Sequence, residues 1–344
     1  MTRHKILRYG LALLSGVLLL LAAWTYWAES QPEEERALRI RVKDQLEAMF
    51  PEAMTPPAGV FGWHAHQAPE GARSMVVLVH GLDEPGDIWQ DVVETFRGQP
   101  VAVMEFRYPN DQAIDASADF LAEQWPELAG EAPVIFIAHS MGGLVVRDFV
   151  TRHYESGAAQ STRIGPPVQA AWLVATPNYG SNWARLRVWL ELRDHFASPL
   201  QKEYALFSAL RDGTGAAKID LRPGSQFLED LNAREWPRAI GLRLIAGVYL
   251  DEQTFVESLD DLVQRMPDEE LAEAFLEWGS GIREATGDGV VTLESVALPD
   301  APPPVVLQAS HRGLIRSSLI DDGEPPALPI LLEWLEAELG REKR

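Results

Sequence analysis

The chain has 344 residues, 46% hydrophobic and 9% aromatic, enough for one large core plus an insertion. Its formal net charge of −21 argues against nucleic acid as a partner, and weakly against anionic substrates or bare anionic membrane surfaces. The absence of cysteine excludes disulfides, thiolate metal sites and a lipid-modified N-terminal cysteine.

The first element in chain order is a basic flank, Met1 to Arg8, followed by residues from Tyr9 to Ala28 that are apolar or small throughout. That stretch is long enough to cross a bilayer as a helix. Trp24, Tyr26 and Trp27 sit at its far end, as an interfacial aromatic belt does. The competing reading is a cleaved signal peptide, but Tyr26-Trp27-Ala28 puts a bulky residue where a small one is needed, and Ala28-Glu29-Ser30 is a weak alternative site. Residues 1–28 are therefore expected to be an uncleaved signal anchor. The N-terminus is then cytoplasmic and the remainder faces the exported, periplasmic or extracellular, side. Residues 29–57 follow as a charged, helix-prone juxtamembrane segment (Glu33 to Met49) that ends in Pro51 and Pro56-Pro57.

From residue 58 to 344 the pattern is that of one folded domain. Strand signals near 75–79, 101–106, 133–138 and 169–175 alternate with helix signals near 87–97, 112–129 and 141–154. This alternation predicts a mainly parallel sheet flanked by helices. Residues 181–240 interrupt it and read as a helical cap, in which Trp183, Leu186, Trp189, Leu190 and Phe196 recur near helical spacing. Either the cap packs on the core or it is an amphipathic lid that opens on a lipid surface. The sheet resumes at 242–249 and 304–308, with an acidic helical insertion at 252–285 between them and a closing helix from Pro329 to Glu338. His64 and His66 form a His-x-His pair without companion ligands, so no metal and no cofactor is assigned.

Chemistry concentrates at Ile135-Phe-Ile-Ala138-His139-Ser140-Met141-Gly142-Gly143. A strand-length apolar run ends in a turn and a helix starts at once, which is the arrangement that holds a serine hydroxyl above a sheet edge. Ala138 and Gly142 supply the small residues needed two places either side, although glycine is usual at both. A serine hydroxyl is a weak nucleophile and needs a base and a group to orient that base. Gly287-Asp288-Gly289 and Ser310-His311 each lie beside a short strand signal, and they give the order Ser140, Asp288, His311. Asp251, directly after the strand at 242–249, competes with Asp288 as the acid. The acidic helical stretch behind Asp251 and the turn-forming glycines around Asp288 favour Asp288. The backbone N–H of Met141, and that of Leu82 after the strand at 75–79, are the expected oxyanion donors, with Gly81 allowing close approach and His80 organising the loop.

His80-Gly-Leu82…Trp89, Phe106-Arg-Tyr-Pro109, Ala138-His-Ser-Met-Gly-Gly143, Ala175-Thr-Pro-Asn-Tyr-Gly-Ser181, Gly287-Asp-Gly-Val-Val291 and His311 occur in one collinear order. Over about residues 75–315 this resembles the α/β-hydrolases, in particular bacterial triacylglycerol lipases and the alpha/beta domain of GPI inositol-deacylases. The resemblance implies an α/β-hydrolase fold with a helical cap and cleavage of acyl esters through an acyl-enzyme on Ser140. It implies a small-molecule or lipid ester as substrate, beside the membrane that holds the N-terminal helix. Amide hydrolysis or acyl transfer by the same residues, and a non-enzymatic interaction protein on a retired hydrolase fold, are the alternatives. A complete Ser, Asp, His set speaks against the last.

Overall fold

The computed structural model describes residues 15–16, 19–20, 23–84, 86–128, 132–154, 165–182, 210–249, 286–299, 301–317 and 323–341. Seven strands form one sheet in the order β1-β3-β2-β4-β5-β6-β7. They are β1 (Gly62–Gln67), β2 (Ser74–Val79), β3 (Val101–Arg107), β4 (Val134–His139), β5 (Val168–Val174), β6 (Gly241–Val248) and β7 (Val305–Gln308). Every neighbouring pair is parallel except β1 with β3.

The sequence dictates this layering. β2 and β4 are apolar at nearly every position, which suits a strand covered on both faces. Successive side chains point to opposite faces. Met75, Val77, Val79, Phe136, Ala138 and Leu173 therefore enter one core, while Val76, Leu78, Ile135, Ile137, Trp172 and Val174 enter the other. Among the described helices, α3 (Ile114–Gln124) and α4 (Met141–Asp148) line the first core. The second is closed by α2 (Gln90–Thr95) and α7 (Ala327–Arg341). Connections run one way across the sheet from β2 to β3 and the other way from β4 onward. The carboxyl ends of β2 and β4 thus flank the point of reversal, where open α/β sheets form their binding crevice.

β1 is a strand that the periodicity does not announce. It is a half-exposed edge with a register shift between Ala65 and Gln67, so its pattern is weak. Its two histidines meet the sheet edge: His64 lies opposite Glu105, and His66 Nε2 is 3.0 Å from Glu105 Oε2. The helix expected from 112 to 129 is shorter, because Ile114–Gln124 gives way to a tight turn at Trp125–Glu127 where Pro126 enters.

Residues 23–30 are helical and α1 (Pro32–Met49) follows. Half of the expected anchor, Tyr9 to Ala28, lies outside the described residues, and among those described no helix is long and apolar enough to cross a membrane. The segment at 29–57 is docked on the domain through a set of ion pairs. Arg36 Nε meets Asp220 Oδ1 at 2.5 Å and its NH2 meets Asp115 at 2.9 Å. Arg39 donates to the carbonyl of Thr214. Buried Glu35 is held by Arg39 at 3.0 Å and Arg222 at 3.5 Å, and Arg222 also donates to the carbonyl of Ala28 at 3.2 Å. Asp220 sits at the end of α5 (Ala216–Asp220), where burial pushes its pKa up to about 6 against the pull of Arg36. In the described part of the 181–240 segment, α5 and α6 (Gln226–Asn232) pack on the core. The amphipathic stretch from Trp183 to Phe196, the insertion at 252–285 and Asp251 lie outside the described residues.

Candidate active site

Ser140 is the hinge between β4 and α4, with φ 54° and ψ −130°. This is a sparsely populated backbone region for a residue with a Cβ, and holding it costs on the order of 1–3 kcal/mol. The surroundings over-determine it. Ser140 N–H donates to the carbonyl of Val174 at 2.9 Å, and the Gly143 N–H returns to the Ser140 carbonyl at 3.0 Å. Helix α4 leaves the turn so close to β2 that a Cβ on Gly142 would lie 2.3 Å from the carbonyl oxygen of Val79. Among the described residues, the other non-glycine positions with positive φ are Asp83 at 53° and Ala175 at 51°. They follow β2 and β5, the strands on either side of β4, so the strained backbone gathers at one edge of the sheet.

Asp288 and His311 are brought together directly. His311 Nδ1 donates to Asp288 Oδ2 at 2.7 Å, and the His311 N–H donates to the Asp288 carbonyl at 3.0 Å. The other carboxylate oxygen, Oδ1, accepts the N–H groups of Val290 at 2.9 Å and Val291 at 2.8 Å. Asp288 is 2% exposed, and these contacts satisfy both oxygens of its buried carboxylate. Space for it comes from Gly247 in β6, where a Cβ would stand 2.7 Å from the Cβ of Asp288. Burial lowers the affinity of His311 for a proton, but the Asp288 charge and hydrogen bond, with Glu84 behind them, outweigh it and raise the pKa. Ser140 joins this pair by position. The ring of its neighbour His139 lies 4.7 Å from that of His311, centroid to centroid, and Ser140 makes no hydrogen bond of its own to His311 among the described residues. Such contacts are often long before substrate binds.

The loop after β2 is held by side chains from two strands' ends and has an acidic member, Glu84. His80 Nδ1 is 2.9 Å from the Gly81 carbonyl, and its ring stacks on Tyr108 at 4.5 Å. Tyr108 donates its hydroxyl to the His80 carbonyl at 2.6 Å, which explains the tyrosine of Phe106-Arg-Tyr-Pro109. A Cβ on Gly81 would lie 2.8 Å from Ser140 Cβ, so the loop backbone passes directly over the serine. The Gly81 N–H is taken by Glu84 Oε2 at 2.5 Å, and the Asp83 N–H by Asn110 Oδ1 at 3.1 Å. Met141 is the first residue of α4, and leading helix N–H groups have no intrahelical acceptor.

Four residues that sequence reasoning passes over complete the arrangement: Glu84, Arg147, Asn232 and Gly247. Arg147 of α4 is buried, and donates to Asn178 Oδ1 at 3.0 Å and Asn232 Oδ1 at 2.9 Å; burial brings its pKa down to about 10. Asn178 Nδ2 in turn donates to the Val296 carbonyl at 2.7 Å, Ser181 Oγ to the Val290 carbonyl at 2.6 Å, and Ser295 Oγ to the Gly180 carbonyl at 2.6 Å. The Thr176-Pro-Asn-Tyr-Gly-Ser181 loop is therefore a brace between the serine helix and the Asp288 loop. A hydrogen-bonding loop of small polar residues signals that role in sequence; its cationic partner 31 residues upstream carries no such signal.

By sequence, the alpha/beta hydrolase family matches residues 76–311. No curated protein matches the chain. Among solved structures, the mature form of the Bacillus licheniformis lipase BlEst2 is similar with a TM-score of 0.51 and 18% identity, over 79% of this chain and 97% of that one. The Staphylococcus hyicus lipase is similar with a TM-score of 0.50 and 15% identity, over 80% of this chain and 98% of that one. At such identities the likeness is one of fold. The sheet order, the strained serine between β4 and α4, and the sequence match over most of the domain lead to one assignment: this chain belongs to the alpha/beta hydrolase family.

Proposed function

We propose that the chain is a serine ester hydrolase, lipase- or carboxylesterase-like, held at a membrane by its N-terminal segment with the catalytic domain on the exported side. The observation that carries this reading is the buried Asp288–His311 pair beside the strained Ser140 elbow. Ser140 Oγ attacks the ester carbonyl carbon as its proton passes to His311 Nε2. Asp288 holds the imidazole in the Nδ1–H tautomer and stabilises the imidazolium. The oxyanion forms against the N–H groups of Met141 and Leu82, as backbone donors do in an oxyanion hole. Collapse expels the alcohol, protonated by His311, and leaves an acyl-serine. Water then attacks with His311 again as base, and free acid leaves.

Apolar surface at this edge of the sheet supports an acyl chain as the group bound there. Tyr179 after β5, Tyr249 after β6 and Val290 beside Asp288 are all exposed. The anchoring part of the proposal rests on the apolar run from Tyr9 to Ala28 and its basic flank. The test is hydrolysis of p-nitrophenyl esters of graded chain length, with matched anilides and added alcohol acceptors, by the full chain and by Ser140→Ala. Ester cleavage that is lost in Ser140→Ala is the expected result. Anilide cleavage or acyl transfer that outruns ester hydrolysis reassigns the reaction, and ester cleavage that survives Ser140→Ala removes the proposal.

A further inference from the structure

Glu84 is buried, yet no step above uses it. Its Oε2 accepts the Gly81 N–H at 2.5 Å, and its Oε1 is 2.6 Å from His139 Nδ1. The far nitrogen of that ring, Nε2, donates to the backbone carbonyl of His311 at 3.0 Å. His139 is fully buried; its Nε2 meets the His311 carbonyl, while its Nδ1 pairs with Glu84 by proximity, without aligned hydrogen-bond geometry. One unbroken chain of contacts therefore runs from the loop after β2, through Glu84 and His139, to the backbone of His311. Burial opposes a charge on Glu84, but the charge and hydrogen bond of His139, with His311 and the Gly81 N–H, outweigh it and hold the carboxyl below its ordinary range. The side-chain ligand atoms of Glu84, His139 and His311 lie within 4.8 Å of one another, but 2.6 Å between Glu84 and His139 leaves no room for an ion between those two.

We propose, resting on the ester-hydrolase reading, that Glu84 is a positioning residue that ties the Gly81–Leu82 backbone through His139 to the carbonyl of His311, so that oxyanion donor and base keep one geometry. Glu84 also faces His311 as a second carboxylate. The charged groups around that imidazole are Asp288, Glu84 and Arg312, with the His139 ring in contact. The two contributions separate by substitution. Glu84→Gln keeps an oxygen for the Gly81 N–H and an amide that can donate to His139, but removes the charge. Glu84→Ala removes both. His139→Asn keeps a donor toward Glu84 and loses the reach to His311.

The experiment is steady-state hydrolysis of a short-chain p-nitrophenyl ester by the full chain and these variants across pH, with amide hydrogen exchange of each. For Glu84→Ala and His139→Asn, kcat is expected to fall about a hundredfold with KM within about threefold, the loss typical of a displaced oxyanion donor. The double variant should lose no more than either single one, since links of one chain do not add. Glu84→Gln should keep kcat within about tenfold and move the acid limb of kcat/KM to lower pH, because an anion that favours the imidazolium is gone. Exchange should quicken in Glu84→Ala at both 80–84 and 309–315. The proposal is overturned if kcat stays within about threefold of the parent in Glu84→Ala, or if the Glu84→Gln limb does not move. Exchange at 309–315 that is unchanged in Glu84→Ala also overturns it, and that readout needs no activity. Should Glu84→Ala lose its cooperative thermal transition, the Glu84→Gln limb and the His139→Asn rate decide. A parent chain that cleaves no ester defeats the ester-hydrolase reading instead, and exchange then judges the link alone.

Discussion

Asp288 and His311 are joined twice, by side chain at 2.7 Å and by backbone at 3.0 Å, so the acid fixes both the tautomer of the imidazole and the path of the loop that carries it. The raised pKa of His311 has a consequence for rate. The base must be neutral to accept the serine proton, so the acid limb of kcat/KM should lie above the ordinary histidine value. Asp288→Asn should lower kcat by a factor on the order of 10⁴ and move that limb to lower pH. The sign for stability follows from the same shift: the imidazolium–Asp288 attraction stabilises the fold fully below the unfolded pKa of histidine, and is lost as pH rises through the raised folded value. Thermal melts of the parent and Asp288→Asn should therefore differ most at acid pH and converge as pH rises.

Gly247 is expected to matter to rate although it is far from Ser140 in sequence. A Cβ there would stand 2.7 Å from Asp288 Cβ and 3.1 Å from a methyl of Leu314. Gly247→Ala should displace the acid, destabilise the fold by about 1–3 kcal/mol and reduce kcat by more than about tenfold, with little change in KM. Urea melts and steady-state kinetics on the same sample check both.

The docked helix α1 gives a prediction away from the site. Arg36→Ala leaves Asp220 buried without its main cationic partner. Without Arg36 to hold it down, the Asp220 pKa rises beyond the value of about 6 in the intact protein; where the orphaned carboxylate is still ionised it penalises the fold, and as pH falls the group takes a proton and the penalty fades. The variant should lose on the order of 2–3 kcal/mol near pH 8, and clearly less near pH 5. An equal loss at both pH values would remove the ion pair as the cause.

Much of this arrangement is legible in the sequence. The buried strands are continuous apolar runs, and the elbow, the turn at Asp288 and the order of motifs follow from local residue chemistry. What is not legible depends on side chains that meet only after folding. Glu84 reads as one acid in a loop, Gly247 as one glycine in a strand, and Arg147 as a surface-type cation on a helix; their meaning comes from partners 55, 41 and 31 positions away. β1 escapes because an edge strand buries one face incompletely. Glu33 to Met49 reads in sequence as a charged, helix-prone juxtamembrane segment; that its arginines find buried carboxylates on α5 and within α1 itself emerges only on folding.

The membrane proposal makes a separable prediction. The intact protein should remain with membranes after a high-salt wash, because insertion is hydrophobic and insensitive to screening. A chain begun near Gln31 should be soluble and still cleave short-chain esters, but melt lower, since it lacks the Ala28 carbonyl that Arg222 uses. Recovery of a soluble protein with its N-terminus near Ser30 would show a cleaved signal, and would leave the hydrolase reading standing.

The central claim is that Ser140 is the nucleophile. The most direct measurement is intact-protein and peptide mass spectrometry after reaction with a fluorophosphonate. One adduct per chain, located on Ser140, absent in Ser140→Ala and slowed by several orders of magnitude in His311→Ala, is the expected result. Labelling that persists unchanged in a folded Ser140→Ala chain, or an adduct located on any other residue, would contradict it.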